Sequence, residues 1–507
     1  MAGNYLIGVD IGTQGTKTSL VSVKGEIVAE AFEPSRLIYP EKGAVEQDAD
    51  EIYGSCLRTL KSVIDKSGIS SSQVLAIGID GQMAGILGID KDWNAVTPYD
   101  SWLDTRCGEY KDEIKDWGEE RVISITGCPI TYAHGPKVLW WKNKKPKTYD
   151  KISKFLVPSA FVAGRLCGLK ADKAYIDYTF LHFSGFGDVL NKKWSNELLD
   201  AFNVSEDKLP EVVEPWKVIG GVSDAAAHIC GLKSGTPVIA GCGDTSATSL
   251  GAGITRKGLV FDIAGTASVF SCCVDTFSPD VKNKTLLYAR SIIPGLWNPM
   301  AYINGGGMCL KWFRDSVLTK ENECSYSFKD LDSMASQIAP GSESLIFVPH
   351  FSGRVCPNNP NVRGSWLGMN WVHNKAHLYR SIMEGIAYEY RIYLKIIMDL
   401  VSDVQFSKVL SIGGGAKSKV FNSIKADVLG IPYMTLSTSD TATLGSAILA
   451  GYGIGVFNDL ASTMDNILEY SEEINFSRQN KLLYDKYVNA YELVFNSLED
   501  FYKKLLL

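Results

Sequence analysis

Cysteine is scarce, with 11 residues in a chain of 507 and no Cys-x-x-Cys pair, far below the roughly 8–10% that marks a disulfide scaffold. Buried, reduced thiols are therefore the expected state, Cys272 and Cys273 included, and a reducing cytoplasm the expected compartment. Long hydrophobic runs are missing as well. The first apolar stretch, Tyr5 to Val9, stops at Asp10, too short for the apolar segment of a signal peptide, and nothing later approaches the ~18 uncharged residues of a membrane span. There is no excess of positive charge: 51 Lys and Arg stand against 57 Asp and Glu, a net of −6, so neither nucleic acid nor an acidic membrane is an expected partner. Nor does the chain contain a Walker A sequence or a Gly-x-Gly-x-x-Gly, which disfavours P-loop and ordinary Rossmann readings.

What is present is a globular composition, 45% hydrophobic and 21% charged, of a length that suits about three ordinary domains or two large ones. Glycine is enriched, 47 residues, and it clusters in particular loops. Residues 5–11 read as a strand, Gly12–Lys17 as a turn and Thr18–Val23 as a returning strand. Asp48 starts a helix whose apolar face carries Ile52, Cys56, Leu60 and Val63 and which ends at Gly68, and a strand follows over 74–80. The lysine run 142–147 reads as a solvated loop. Later helical patterns cover 377–401, 418–429 and 478–505. Alternating strands and helices give an α/β fold with ligands near strand ends. Asp10-Ile-Gly-Thr and Asp262-Ile-Ala-Gly-Thr lie 252 residues apart, which suggests two related halves. We place them at 1–253 and 254–507.

The chemistry concentrates in three glycine turns, Gly12–Lys17, Gly265-Thr266 and Gly413–Gly415. Glycine lets backbone amides approach a polyphosphate, threonine adds hydroxyl donors, and Lys17 adds a cation. Singly, each is also explained as a tight turn. Asp10 and Asp244 both end apolar strands, where a carboxylate acts on a cation or a proton, or else caps a turn. Beside phosphate loops they suggest one acid near nucleotide-bound magnesium and one acting as base. His373 and His377 have metal spacing but no third ligand nearby, and Trp140, Trp141 and Trp312 read as core.

These residues resemble the FGGY carbohydrate kinases of the actin-like ATPase superfamily. Gly8-Val-Asp-Ile-Gly-Thr-Gln-Gly-Thr-Lys17 is similar to the family's first phosphate motif, Gly241-Cys-Gly-Asp244 to the segment carrying its catalytic aspartate, and Asp262–Ser268 to its second phosphate motif. Gly364-Ser-Trp-Leu-Gly-Met369 with His377-Leu-Tyr-Arg-Ser-Ile-Met-Glu384-Gly385 resembles its C-terminal signature, and Ser411–Ala416 its adenosine loop. The likeness runs from about residue 5 to 455. It implies two actin-like (ribonuclease H-like) domains with a catalytic cleft between them, ATP and Mg2+ as cofactors, and a small-molecule sugar as substrate. It also implies site roles: Asp244 as general base, Asp10 at the metal, Thr13, Gln14, Thr16 and Lys17 at the terminal phosphates, Gly265, Thr266 and Gly307 along the nucleotide, and Gly414, Gly415 and Ala416 at the adenosine.

Within the family, Gly81-Gln-Met-Ala-Gly85 and Ser101-Trp-Leu-Asp-Thr-Arg106 are most similar to the xylulokinase subgroup, which implies D-xylulose as substrate, with Gln82, Met83, Trp102, Asp104 and Asp244 around the sugar. Ala84 stands where that subgroup has histidine, Thr245 where asparagine is usual, and Arg354 where glutamate is frequent. Another ketose, a polyol or a sugar acid is the alternative. A non-sugar actin-like ATPase is the rival of a different class, and the signature over 364–385 separates the two. A homodimer is left open.

Overall fold

The computed structural model describes residues 4–265, 267–318, 326–438 and 440–505. The chain forms two compact units. The first comprises Met1–Thr255, Tyr288–Trp297 and Asp440–Leu468, the second Arg256–Leu287, Asn298–Ser439 and Glu469–Leu507. The halves read from sequence were each continuous; the units are not, because two later segments pack with the first. Among the described residues no helix is long and apolar enough to cross a membrane, and the described cysteines are all free.

The first sheet uses β1 (Tyr5–Ile11), β2 (Gly15–Ser22), β3 (Ile27–Pro34), β4 (Val74–Gly81), β5 (Val218–Gly221) and β6 (Pro237–Ile239). Its order is β3-β2-β1-β4-β6-β5, with β1 antiparallel to β2 and parallel to β4, and the short strand Cys242–Gly243 pairs parallel with the end of β4. The second sheet uses β7 (Leu259–Ala264), β8 (Ser268–Cys272), β9 (Trp297–Ile303), β10 (Lys408–Ile412), β11 (Tyr433–Leu436) and β12 (Tyr470–Ile474). Its order, β9-β8-β7-β10-β11-β12, repeats the first with the same sequence of antiparallel and parallel pairings. Asp10 on β1 and Asp262 on β7 thus occupy corresponding strands, as the half-chain repeat anticipated.

Strand alternation decides what the β2 residues do. Thr16 and Thr18 face the helix Ala49–Ser67, where their hydroxyls meet those of Ser55 at 2.7 Å and Thr59 at 2.8 Å. Ser19, one residue on, points to the other face and meets Thr443 at 2.8 Å. Helix Ala49–Ser67 is capped by Asp48, which accepts the Glu51 amide at 2.9 Å, and closed by Gly68 at φ 65°. The opposite face is covered by helix Thr441–Gly453 at very short range. A Cβ on Gly8 would lie 1.9 Å from the Thr443 carbonyl oxygen, and one on Gly78 would lie 2.1 Å from that of Ser446. The same helix crosses helix Asp244–Gly251 where Gly251 and Gly445 face each other, each leaving no space for a side chain.

In the second unit the helix Lys375–Leu400 packs with Lys419–Leu429 and Arg478–Leu505. Within it Glu384 is saturated: it accepts from Arg380 at 2.8 Å, Tyr484 at 2.7 Å, the Gly341 amide at 2.9 Å and the Ser342 hydroxyl at 2.7 Å. Gly385 lets the strand Ile346–Val348 approach, since a Cβ there would meet the Phe347 carbonyl oxygen at 2.2 Å. This stretch of the C-terminal signature is therefore a packing element. The lysine run expected as a loop is instead largely helical, shared between His134–Lys144 and Pro146–Tyr149.

Gly8→Ala is expected to lower the unfolding free energy by about 1–3 kcal/mol or more by overpacking. Gly414→Ala, where nothing lies within 4 Å of the added carbon, should change it by no more than about 0.5 kcal/mol. Urea melts of the two variants beside the parent check both.

Candidate active site

The register of β1 places Asp10 beside Lys17 on β2 and beside Asp80 on β4, so all three side chains leave the sheet on one face. Asp80 is fully buried and accepts the Ser446 hydroxyl at 2.5 Å. One oxygen of Asp10 and one of Asp80 are buried with no protein partner. Burial, reinforced by the charge of Asp244, raises the Asp10 pKa, and burial beside Asp10 raises that of Asp80 further. Lys17 pairs with Glu30 at 2.7 Å and with Asp440, the residue capping helix Thr441–Gly453. Burial opposes its charge, but these partners raise its pKa overall.

Asp244 is the first residue of its helix, after Gly243. Two glycines hold it there. Gly241 sits at φ 79°, with no room for a Cβ beside the Ile79 carbonyl oxygen, and Gly243 lies against Met83, whose Cε would be 2.5 Å from an added Cβ. The carboxylate accepts the Thr245 amide at 2.5 Å and its hydroxyl at 3.1 Å. Burial nevertheless raises its pKa to about 6, against the lowering effect of those bonds. That suits a base that is ionised at neutral pH yet retains proton affinity.

The other expected residues divide. Thr13 donates to Gln82 at 3.0 Å and accepts from the Trp102 indole at 2.9 Å, and Gln82 donates to Gln47 at 2.7 Å. Thr13 thus ties the first turn to two of the expected sugar residues. Gln14 is exposed in that turn. Thr16 is corrected: β2 begins at Gly15, so Thr16 already belongs to a strand, and its fully buried hydroxyl meets Ser55 instead of facing a phosphate. Asp104 is corrected as a sugar ligand. It is buried, accepts the Val45 amide at 2.9 Å and binds Arg106 at 2.9 Å, so it organises the loop and offers no free oxygen. Arg106 in turn pairs with Asp100 at 2.9 Å and Glu46 at 2.7 Å and lies over Trp140 at 4.5 Å.

In the second unit, Gly265 follows β7, and Thr266 lies outside the described residues. Gly307 stands in the short helix Gly306–Trp312. Gly413 and Gly415 pack on Ala264, the last residue of β7. Gly414 and Ala416 line a cavity of about 770 Å³ together with Asn422, Lys417, Thr435 and Ser471. Asp262 does not repeat the state of Asp10: it is fully buried, ion-paired with Lys425 and bonded to Tyr390 at 2.8 Å. Among the described residues no group of three or more His, Cys, Asp and Glu is placed to hold a metal by itself.

Sequence reasoning missed Asp80, Asp440 and Gln47. Asp80 ends an apolar strand as Asp10 does, a signal that was there to be used. Asp440 and Gln47 have no local signal.

The family model for the N-terminal domain of FGGY carbohydrate kinases matches residues 5–251, and that for the C-terminal domain matches 263–454. The chain belongs to the FGGY family of carbohydrate kinases. It is 27% identical over 493 residues to a xylulose kinase of Bacillus subtilis, covering 96% of each chain. It is 26% identical to a gluconokinase of the same organism, over 92% of this chain and 90% of the other. The crystal structure of a gluconate kinase from Lactobacillus acidophilus superposes with a TM-score of 0.91 at 23% identity, over 99% of this chain and 100% of that one. The kinase therefore has the two-domain actin-like, ribonuclease H-like ATPase fold and transfers phosphate from ATP to a small-molecule sugar.

If Asp244 in its ionised form is the base, turnover per bound sugar should rise tenfold per pH unit below about pH 6 and level off above it. Stability should run the other way. The folded state holds the Asp244 proton up to about pH 6, whereas the unfolded chain releases it near ~3.9, so stability declines as pH rises through that window. Asp244→Asn should make this decline shallower without removing it, since burial also raises the pKa of Asp10, Asp80, Asp100 and Asp177, and should reduce turnover roughly 10²–10⁴-fold while nucleotide still binds. pH–rate profiles, pH-dependent melts and nucleotide titrations of parent and variant check these outcomes.

Proposed function

We propose that this kinase phosphorylates a ketopentose, D-xylulose, at its terminal hydroxyl, giving D-xylulose 5-phosphate and ADP, with Asp244 as general base. The observation that carries this reading is the packing of Met83 on Gly243. It sets the Gly81–Gly85 turn, the segment most similar to the xylulokinase subgroup, directly beside the base. In the reaction Asp244 takes the proton of the attacking hydroxyl as its oxygen bonds to the terminal phosphorus of ATP, and ADP leaves with the electron pair of the broken bond. Trp102 and Gln82, joined through Thr13, shape the sugar side. Lys17 and the amides of the Gly12–Gln14 turn serve the terminal phosphates, and Gly265, Gly307 and the cavity at Gly414 and Ala416 serve the rest of the nucleotide.

The unpartnered oxygens of Asp10 and Asp80 fit a magnesium ion that keeps waters and relies on phosphate oxygens for most of its shell. Asp10 would hold it, and the ion would offset the phosphate charge.

Ala84 is the specificity position. It is half-buried at φ 62°, a left-handed conformation that histidine, asparagine and aspartate adopt more readily than most residues. Coupled ADP release over pentuloses, hexuloses, polyols and gluconate should give D-xylulose the highest kcat/KM. Ala84→His should raise that value or leave it unchanged, and a lost polar contact of this kind is worth about 1–3 kcal/mol. A preference for gluconate or a polyol, inverted by Ala84→His, would overturn the assignment.

A further inference from the structure

The turn that carries Asp244 is anchored by a buried relay that the family motif does not include. The Gly243 amide donates to the Thr179 hydroxyl at 2.9 Å. That hydroxyl donates in turn to Asp177 Oδ1 at 2.5 Å, and the same oxygen accepts the Thr179 amide at 2.9 Å. Thr179 is wholly buried and Asp177 is 2% exposed. The two residues open a 3-10 helix over Tyr178–Phe183, for which Asp177 is the cap. This segment lies 64 residues before Gly243 in the chain.

Capping accounts for the bond from the Thr179 amide to Asp177. It does not account for the hydroxyl, which spends its donor on Asp177 so that its lone pairs face the Gly243 amide. Gly243 sits at the N-cap position, just ahead of the base, and is pressed from another side by Met83. Gly241 fixes the approach from β4. The Cys242–Gly243 peptide is thus held by two packing contacts, by parallel pairing of Cys242 and Gly243 with Asp80 and Gly81 on β4, and by one side-chain hydrogen bond, the one from Thr179.

We propose that Thr179, oriented by Asp177, is a positioning residue for the catalytic base: with the strand pairing to β4 it fixes the Cys242–Gly243 peptide plane, one residue ahead of Asp244, and so the direction of the carboxylate toward the sugar hydroxyl. The inference rests on Asp244 being the base. A displaced catalytic group loses near-attack geometry, and a misplacement of about 1 Å costs on the order of 10²-fold.

Thr179→Val keeps the shape and removes the acceptor. It should lower kcat by about 10–100-fold, leave KM for ATP and sugar within about threefold, and leave the pH of the acid limb in place. Thr179→Ser restores the acceptor and should recover kcat to within about threefold of the parent. A purely structural role predicts a lowered melting temperature with parental kcat in the folded fraction, and that result would overturn the inference. So would a serine variant no better than the valine one. If Thr179→Val does not fold, Asp177→Asn, which weakens the anchor at constant volume, should show the same split in kcat against KM, and parental kcat there would equally overturn it. Asp244→Asn run in parallel separates the two claims. If that variant turns over normally, the assignment of the base fails. If it is inactive while Thr179→Val is unimpaired, only the relay fails.

Discussion

The first unit depends on how closely the helix Thr441–Gly453 can approach the sheet. Gly8 and Gly78 remove side chains from neighbouring strands where the helix backbone passes, and Gly251 and Gly445 do the same where it crosses helix Asp244–Gly251. Backbone then packs on backbone, which brings the start of this helix, with Asp440, to Lys17, and Ser446 to Asp80. It also fixes the helix that begins at Asp244. An ordinary layer of side chains would hold sheet and helix roughly 10 Å apart, and Asp440 and Ser446 could not reach Lys17 and Asp80. Strand register brings Asp10 and Asp80 together, and the four missing Cβ atoms bring Asp440 and Ser446 up to them.

The two sheets have one topology but their corresponding aspartates have opposite states. Asp262 faces Phe270 and Ser411 in register, is neutralised by Lys425 and accepts a hydrogen bond from Tyr390. Removing Lys425 would leave a buried charge uncompensated, and removing Tyr390 would leave one of the aspartate's oxygens without a donor. Asp10 faces Lys17 and Asp80, and the lysine is drawn toward Asp440 and Glu30. One oxygen of Asp10 is left without a protein partner, and burial beside Asp244 raises its pKa. One copy of the fold has its aspartate fully partnered and the other leaves an oxygen free, a division that follows from which residues stand opposite each strand.

On the sugar side, the residues nearest the expected substrate are supported by others that touch none of it. Asp104, Arg106, Asp100 and Glu46 form a buried ionic group whose members satisfy one another. Asp100 also accepts the Trp141 indole at 2.5 Å. Their effect is to fix the Ser101–Arg106 segment so that Trp102 reaches Thr13. A network of this kind gives rigidity when fully satisfied, which is what discrimination between similar sugars requires.

The sequence by itself determined the α/β class, the half-chain repeat, the helix limits marked by Asp48 and Gly68, and the family. These rest on local signals: strand-ending aspartates, caps, apolar spacing and glycine turns. It also indicated Asp10 and Asp244, because a carboxylate closing an apolar strand is conspicuous without any neighbour. Tertiary structure decided the rest. Thr16 and Lys17 look alike within a glycine-threonine turn, but β2 begins at Gly15, and alternation sends one into the interior and the other toward Asp440. Asp104 looks like a ligand until Arg106 and the Val45 amide are seen to occupy it. Asp80, Gln47, Thr179 and Asp440 gain their roles only from partners dozens to hundreds of residues away. A side chain's availability for chemistry depends on what else meets it in space, and that is fixed by register and packing, which local sequence does not encode.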